Sequence, residues 1–193
     1  MSKNYTIIDE TLTAPMVSVA MLTFNHASYI AKAIESALMQ KTTFPIKLVI
    51  AEDCSTDNTR EIVMAYQKKN PEKIKVILQN YNVGFQKNNK DLFSNLEGKY
   101  VAALEGDDYW IDPYKMQKQV DFLEAHPEYG MVHSDYHICY VPENVIEKNI
   151  HTHRKTNLID DCFDRYWGMI GYRLAIKTLT VCFRTEYINK GLD

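Results

Sequence analysis

Within four residues the sequence holds three carboxylates, Glu105, Asp107 and Asp108, interrupted only by Gly106. At the mouth of a buried strand such acids repel one another unless a cation or hydrogen-bond donors offset the repulsion. A divalent metal bridging to a diphosphate would supply that offset. The plainer alternative is that they open a solvated loop and cap the next helix. Two more polar clusters, Thr23-Phe24-Asn25 and Glu52-Asp53, also follow short apolar runs.

Those runs set the elements that must position the clusters. Val17 to Thr23 reads as a strand, followed by Ile30, Ile34, Ala37 and Leu38 at helical spacing. Lys47 to Ala51 is a second strand. Ser55, Thr56 and Asp57 then offer caps to a helix carrying Ile62, Val63 and Tyr66 ahead of Pro71. Ile74 to Leu78 and Tyr100 to Leu104 form a third and a fourth strand, with a helix from about Gln86 to Leu96 between them. Asp112 and Pro113, cap and first-turn proline, start a helix with Met116, Val120 and Leu123 on one face, ending near His126-Pro127. Gly130 to His133 and Leu179 to Phe183 are further strands, on either side of a polar, irregular stretch at 141–154. Strands alternating with helices in this way predict a mostly parallel α/β sheet covered on both faces, with ligands beyond the carboxyl ends of its strands.

The 193 residues suit one domain: an extension over 1–15, a core over 16–136 and the start of a further region over 137–193. A formal charge of −3 without clustered Lys and Arg argues against nucleic acid. Cys54, Cys139, Cys162 and Cys182 are scattered without metal-type spacing, as reduced thiols in a cytoplasmic protein would be. No signal-like segment opens the chain, and no apolar run nears the roughly 20 residues that span a bilayer. His133 and His137 fall in a strand-like stretch, where a separation of four does not bring side chains together. His151 and His153 read as solvated. Tyr109 and Trp110 either line a sugar pocket or pack beside the helix start.

Four stretches in order, VSVAMLTFNHASYIAKAIESALMQ, LVIAEDCSTDNTREIV, NVGFQKNN and GKYVAALEGDDYWIDPYKMQKQ, resemble family 2 glycosyltransferases of the GT-A fold, from about Val17 to Asp135. The resemblance implies a Rossmann-like nucleotide-binding half in which Thr23, Asn25, Glu52 and Asp53 hold the base and ribose. A uracil imide N–H suits a carboxylate, which points to UDP; for Asp53 the alternative is capping of the Ser55-Thr56 turn. Asn82, Gly84 and Asn89 are further donor-binding candidates by the same resemblance, with a solvated helix face as the alternative for Lys87 and Asn89. The family's D-x-D motif falls on Glu105-Gly106-Asp107, with Asp107 as the direct metal ligand, Asp108 close by and Mn²⁺ or Mg²⁺ as the ion. Gly106 lets the backbone approach the diphosphate. The chain departs from the pattern at Cys54, where Gly or Asn is usual, at Glu105 in place of Asp, and at Lys87-Asn88-Asn89-Lys90 in place of an Arg-Asn pair.

The implied reaction is inverting transfer of a sugar from a nucleoside diphosphate, a UDP-sugar, to a hydroxyl of a saccharide or lipid-linked acceptor. Surface polysaccharide or glycan synthesis, with peripheral association at the inner face of the membrane, would be its setting. The catalytic base is expected beyond Asp193, since Asp160, Asp161 and Asp164 match no motif, and the chain is expected to stop before the acceptor half is complete. A noncatalytic nucleotide-sugar-binding or interaction module is the rival. A nucleotidyltransferase is disfavoured, because no Gly-rich basic loop follows the first strand.

Overall fold

A computed structural model describes residues 4–141, 145–148 and 176–188. The βα alternation is present: β1 (Tyr5–Ile8), β2 (Val17–Thr23), α1 (Ile30–Leu38), β3 (Ile46–Glu52), α2 (Thr59–Lys69), β4 (Ile74–Gln79), α3 (Phe85–Phe93), β5 (Tyr100–Glu105) and α4 (Lys115–Ala125). After α4 come the short strands β6 (Met131–His133), β7 (Ile138–Tyr140), β8 (Val145–Glu147) and β9 (Val181–Arg184). Among the described residues the main sheet runs β1-β4-β3-β2-β5-β9-β6, and β7 and β8 pair apart from it.

The four central strands, β4, β3, β2 and β5, are parallel. Almost every residue of β2 is buried, because helices cover both faces, and this is why VSVAMLT reads as a continuous apolar run rather than an alternating one. Val17, Val19 and Met21 point into the larger core with α1, α2 and α4, while Ala20 faces the smaller core that includes Leu92 of α3. The change of face follows from the order of strands. The chain steps from β2 out to β3 and β4, then returns across β2 to β5, and right-handed crossovers in opposite directions place their helices on opposite faces. On α1 the buried stripe is Ile30, Ala33, Ile34 and Ala37, at the i, i+3, i+4, i+7 spacing of a helix packed on one side.

Several boundaries differ from the sequence reading. Residues 5–8, inside the stretch read as an extension, pair antiparallel with β4 and form one edge of the sheet. Helix α4 begins at Lys115 rather than Pro113; the Asp112 carboxylate accepts from the Tyr114 N–H (2.9 Å) and closes a turn ahead of the helix. Of the three cap candidates before α2, Asp57 accepts from the Thr59 N–H at 2.9 Å and also from the Ala27 N–H at 3.0 Å, which ties the start of α2 to the loop before α1. Helix α3 starts at Phe85, one residue earlier than expected and directly after Gly84 at φ +81°, and ends at Phe93. Residues 178–180 form a 3-10 turn, so β9 starts at Val181.

The return strand β9 is anchored by Arg184, whose guanidinium donates to the Leu123 carbonyl (2.7 Å), the Tyr129 carbonyl (3.0 Å) and the Tyr100 hydroxyl (3.1 Å). A cation at the last carbonyls of α4 also meets the negative end of that helix. No helix among the described residues is long and apolar enough to cross a membrane.

Lys115 is buried at the start of α4, its ammonium donating to Gln119 Oε1 (2.8 Å) and lying 4.5 Å from the centre of the Trp110 ring. Burial lowers its pKa to about 7 from the ordinary 10.5. The unfolded chain holds this proton up to about pH 10 while the folded chain releases it near neutrality, so stability rises with pH across that window. Below pH 7 both states are protonated and the full penalty of the buried charge remains. Urea midpoints should therefore increase from pH 6 to pH 9 in the native protein, and Lys115→Met should remove most of that increase; an unchanged pH dependence would contradict the burial of the amine.

Candidate functional site

β2 and β5 are parallel neighbours at the centre of the sheet, so the loops that follow them leave from the same edge, as do those after β3 and β4. Register brings the sequence clusters to one edge: Thr23 pairs with Glu52 and Leu22 with Glu105. A cleft of about 400 Å³ lies there. Its walls are Thr23, Phe24 and His26 after β2, Asp53 after β3, Asn82, Gly84 and Phe85 after β4, and Glu105 and Asp107 at the end of β5.

The loops after β2 and β3 are stitched together by their own polar groups. Asn25 and Cys54 both sit at φ +56°, a left-handed conformation that Asn tolerates and that is uncommon for Cys. Asn25 donates its N–H to Ser55 Oγ (3.0 Å), and its side-chain oxygen accepts from the Thr56 N–H (2.8 Å). Glu52 is fully buried; its carboxylate pairs with Arg60 and accepts from the Ser55 N–H at 2.6 Å. Arg60 also donates to the Gln79 carbonyl (2.7 Å), linking the ends of β3 and β4. Neither Asn25 nor Glu52 is on the cleft wall. Both hold the loops that form it.

Asp53 acts on the next loop. Its carboxylate accepts from the Val83 N–H (2.7 Å) and the Gly84 N–H (2.9 Å), while Asn82 Nδ2 donates to its carbonyl (3.2 Å). Burial raises the Asp53 pKa, and the two amides pull against that rise. The Ser55 turn is capped by Glu52, not by Asp53. Asn89 does not reach this cleft: it lines a separate, more apolar cavity of about 460 Å³ with Phe93 and Phe183. Its neighbour Asn88 is buried, donating to the Ala51 carbonyl (3.1 Å) and accepting from Gln79 Nε2 (3.1 Å), and Lys87 pairs with Asp91.

At the end of β5 the Gly106 N–H donates to the Leu22 carbonyl (2.9 Å), and a Cβ at Gly106 would lie 2.7 Å from both Thr23 Oγ1 and His26 Nδ1. Only glycine fits without displacing one of them. Those two buried polar atoms have no hydrogen-bond partner among the described residues, so the wall beside Gly106 keeps unsatisfied polar capacity there. One carboxylate oxygen from each of Glu105, Asp107 and Asp108 lies within 4.8 Å of the others. Burial, followed by the charges of Asp107 and Glu105, pushes the Asp108 pKa up to about 6, and Lys177 opposes the shift. An all-carboxylate set with this much crowding fits a hard divalent cation. It is the only such acid, His or Cys group of three or more among the described residues.

His26 and Thr178 were not singled out in the sequence. His26 follows Asn25 directly, and its carbonyl accepts the first free amides of α1, from Tyr29 (2.8 Å) and Ile30 (2.9 Å). Thr178 donates to Glu105 Oε1 at 3.1 Å, across 73 positions of chain. Tyr109 carries the Lys32 ammonium 3.5 Å from its ring centre, and Trp110 is buried, donating from Nε1 to the Leu179 carbonyl (2.8 Å). Cys54, Cys139 and Cys182 are free thiols. Cys162, His151, His153, Asp160, Asp161 and Asp164 lie outside the described residues.

The profile described as "Glycosyl transferase family 2" matches residues 18–178. The chain belongs to glycosyl transferase family 2. It is 38% identical over 130 residues to the uncharacterized protein Rv1520 of Mycobacterium tuberculosis, covering 67% of this chain and 36% of that protein. It is 32% identical over 123 residues to the UDP-Glc:alpha-D-GlcNAc-diphosphoundecaprenol beta-1,3-glucosyltransferase WfaP of Escherichia coli, covering 64% of this chain and 47% of WfaP. Among solved structures it is similar to Staphylococcus aureus TarS 1–349 in complex with UDP, with TM-score 0.65, 23% identity, 91% of this chain covered and 48% of TarS. It is also similar to the mannosyltransferase PcManGT of Pyrobaculum calidifontis in complex with GDP-Man and Mn²⁺, with TM-score 0.64, 16% identity and coverage of 95% and 49%. The chain thus has the GT-A fold and spans roughly a third to a half of the length of these family 2 relatives and structural neighbours.

Gly106→Ala tests how tightly the acidic loop is seated. Overpacking against Thr23 and His26 should cost about 1–3 kcal/mol and lower the melting temperature by roughly 3–10 °C. An unchanged transition in a scanning calorimeter would show slack that the geometry denies.

Proposed function

We propose that the cleft binds a nucleoside diphosphate sugar, a UDP-sugar in particular, through a divalent metal held by Asp107 and Asp108 with Glu105 beside them, and that the whole protein transfers the sugar to an acceptor hydroxyl with inversion. The observation that carries this reading is the meeting, in one crevice, of the acidic loop after β5 with the Asp53-clamped loop at Asn82 and Gly84. The UDP-Glc donor in WfaP's name, the UDP complex of TarS and the Mn²⁺ complex of PcManGT support it.

In this reading the walls divide the work. Thr23, Asp53, Asn82 and Gly84 contact the nucleotide, while Asn25 and Glu52 position the loops that present them. Gly106, lacking a Cβ, gives the diphosphate a close approach to the backbone. When bound, the metal neutralises charge building on the departing diphosphate and serves as a Lewis acid for the transfer. A carboxylate must also take the acceptor's proton for inversion, and none of the described carboxylates is given that role. Glu52 is paired with Arg60, and Asp53 is engaged by two amides. A saccharide or lipid-linked acceptor, met at the inner face of the membrane during glycan synthesis, accords with the undecaprenol-linked acceptor in WfaP's name.

Two substitutions separate the parts of this site. Calorimetric titration of UDP into the native chain should show binding strengthened by Mn²⁺. Asp107→Ala should abolish the Mn²⁺-dependent gain, which a lost ligand makes at least about tenfold. Asp53→Asn places an amide N–H₂ among backbone donors, loosening residues 82–84, and should weaken UDP binding with and without the metal alike. Mn²⁺-dependent binding that survives Asp107→Ala would overturn the assignment of the acidic loop.

A further inference from the structure

The acidic loop meets a second segment that no motif covers. Residues 178–180 form a 3-10 turn just ahead of β9, and nearly every polar group around it is engaged. Thr180 donates its N–H (2.9 Å) and its hydroxyl (2.6 Å) to the Lys177 carbonyl. The Leu179 carbonyl takes the indole N–H of buried Trp110 at 2.8 Å. The Thr180 carbonyl takes Gln119 Nε2 at 2.8 Å and the Ser134 N–H at 3.2 Å. A turn held from α4, from the segment after β6 and from the acidic loop's own Trp110 has little freedom to move, so the backbone that presents the next hydroxyl is fixed in place. That hydroxyl belongs to Thr178 and donates to Glu105 Oε1.

We propose that Thr178 is a positioning residue for the metal site: it holds the Glu105 carboxylate in the orientation that the cation requires, and so couples the return strand β9 to donor binding. The inference rests on the functional reading above and extends it to a residue outside the acidic loop. It also accounts for Glu at position 105. The extra methylene carries the carboxylate across to the turn before β9, where an aspartate at the same backbone position would fall short by about one carbon–carbon bond. One donated hydrogen bond also relieves part of the repulsion among three acids whose oxygens lie within 4.8 Å. Glu105 supplies one of the three carboxylate oxygens of the acidic cluster, and partners that orient groups around a metal usually change affinity about 10- to 100-fold when removed.

The test is calorimetric titration of UDP with and without Mn²⁺, together with direct Mn²⁺ titration followed by electron paramagnetic resonance. Thr178→Val keeps the shape and removes the donor; because Thr178 is exposed, the variant should fold, and its melting temperature checks that. Mn²⁺ affinity and Mn²⁺-dependent UDP affinity should fall about tenfold, with metal-free UDP binding unchanged. Thr178→Ser should restore both to within about twofold of the native values. In a Glu105→Asp background, which cannot reach the turn, Thr178→Val should add no further loss. Native Mn²⁺ affinity in Thr178→Val, or losses that add in the double variant, would overturn the proposal while Asp107→Ala still removes the metal effect. If Asp107→Ala leaves that effect intact, the reading of the acidic loop fails and this inference fails with it.

Discussion

Like-charge repulsion at the end of β5 is the constraint around which the rest of the site is arranged. Three carboxylates share a space in which their oxygens lie within 4.8 Å of one another, and Asp108 is half-buried with its pKa pushed up to about 6. Such a cluster raises the free energy of the fold unless something compensates. Part of the compensation is built in. Lys177 adds a nearby positive charge, and Thr178 donates to Glu105. The remainder is what the proposed divalent cation would supply.

The sheet converts local strain into a shared site. Four parallel strands end on the same edge, and the segments that follow all four line the crevice there. Buried charge then fixes the loops. Glu52 and Arg60 tie the ends of β3 and β4, Asp53 clamps the amides at Val83 and Gly84, and Asn25 joins the turn at Ser55 and Thr56. Three polar side chains that resemble ligand-binding residues in one dimension thus divide in three dimensions between the cleft wall and its support.

How far the sequence disclosed this depended on the range of the interactions. Continuous apolar runs such as Val17 to Thr23 announce strands covered on both faces, and polar residues directly after them announce the ligand-bearing edge; both features are local and were legible. Edge strand β1 was not, because four residues of mixed polarity gain their order only by pairing with β4, about 70 positions away. Asp112 makes the local bond to the Tyr114 amide that its sequence context implies, but its other oxygen takes the Lys118 ammonium and the helix starts only at Lys115, a delay that local pattern does not rank. Asn88 and Asn89 differ by a single helical step, and only the packing of α3 on the sheet decides that Asn88 is buried and Asn89 lines the other cavity. The contact from Thr178 to Glu105 exists because β9 returns beside β5, a pairing that carries no signal in either segment alone.

The most direct test of the central claim is anomalous diffraction at the manganese edge from crystals grown with UDP and Mn²⁺. The expected result is a single strong peak against the carboxylates of Asp107 and Asp108, with the nucleotide's phosphates on its open side and its base toward Asp53. A nucleotide bound away from the crevice between β2 and β5, or an ion coordinated elsewhere while the acidic loop holds none, would contradict it.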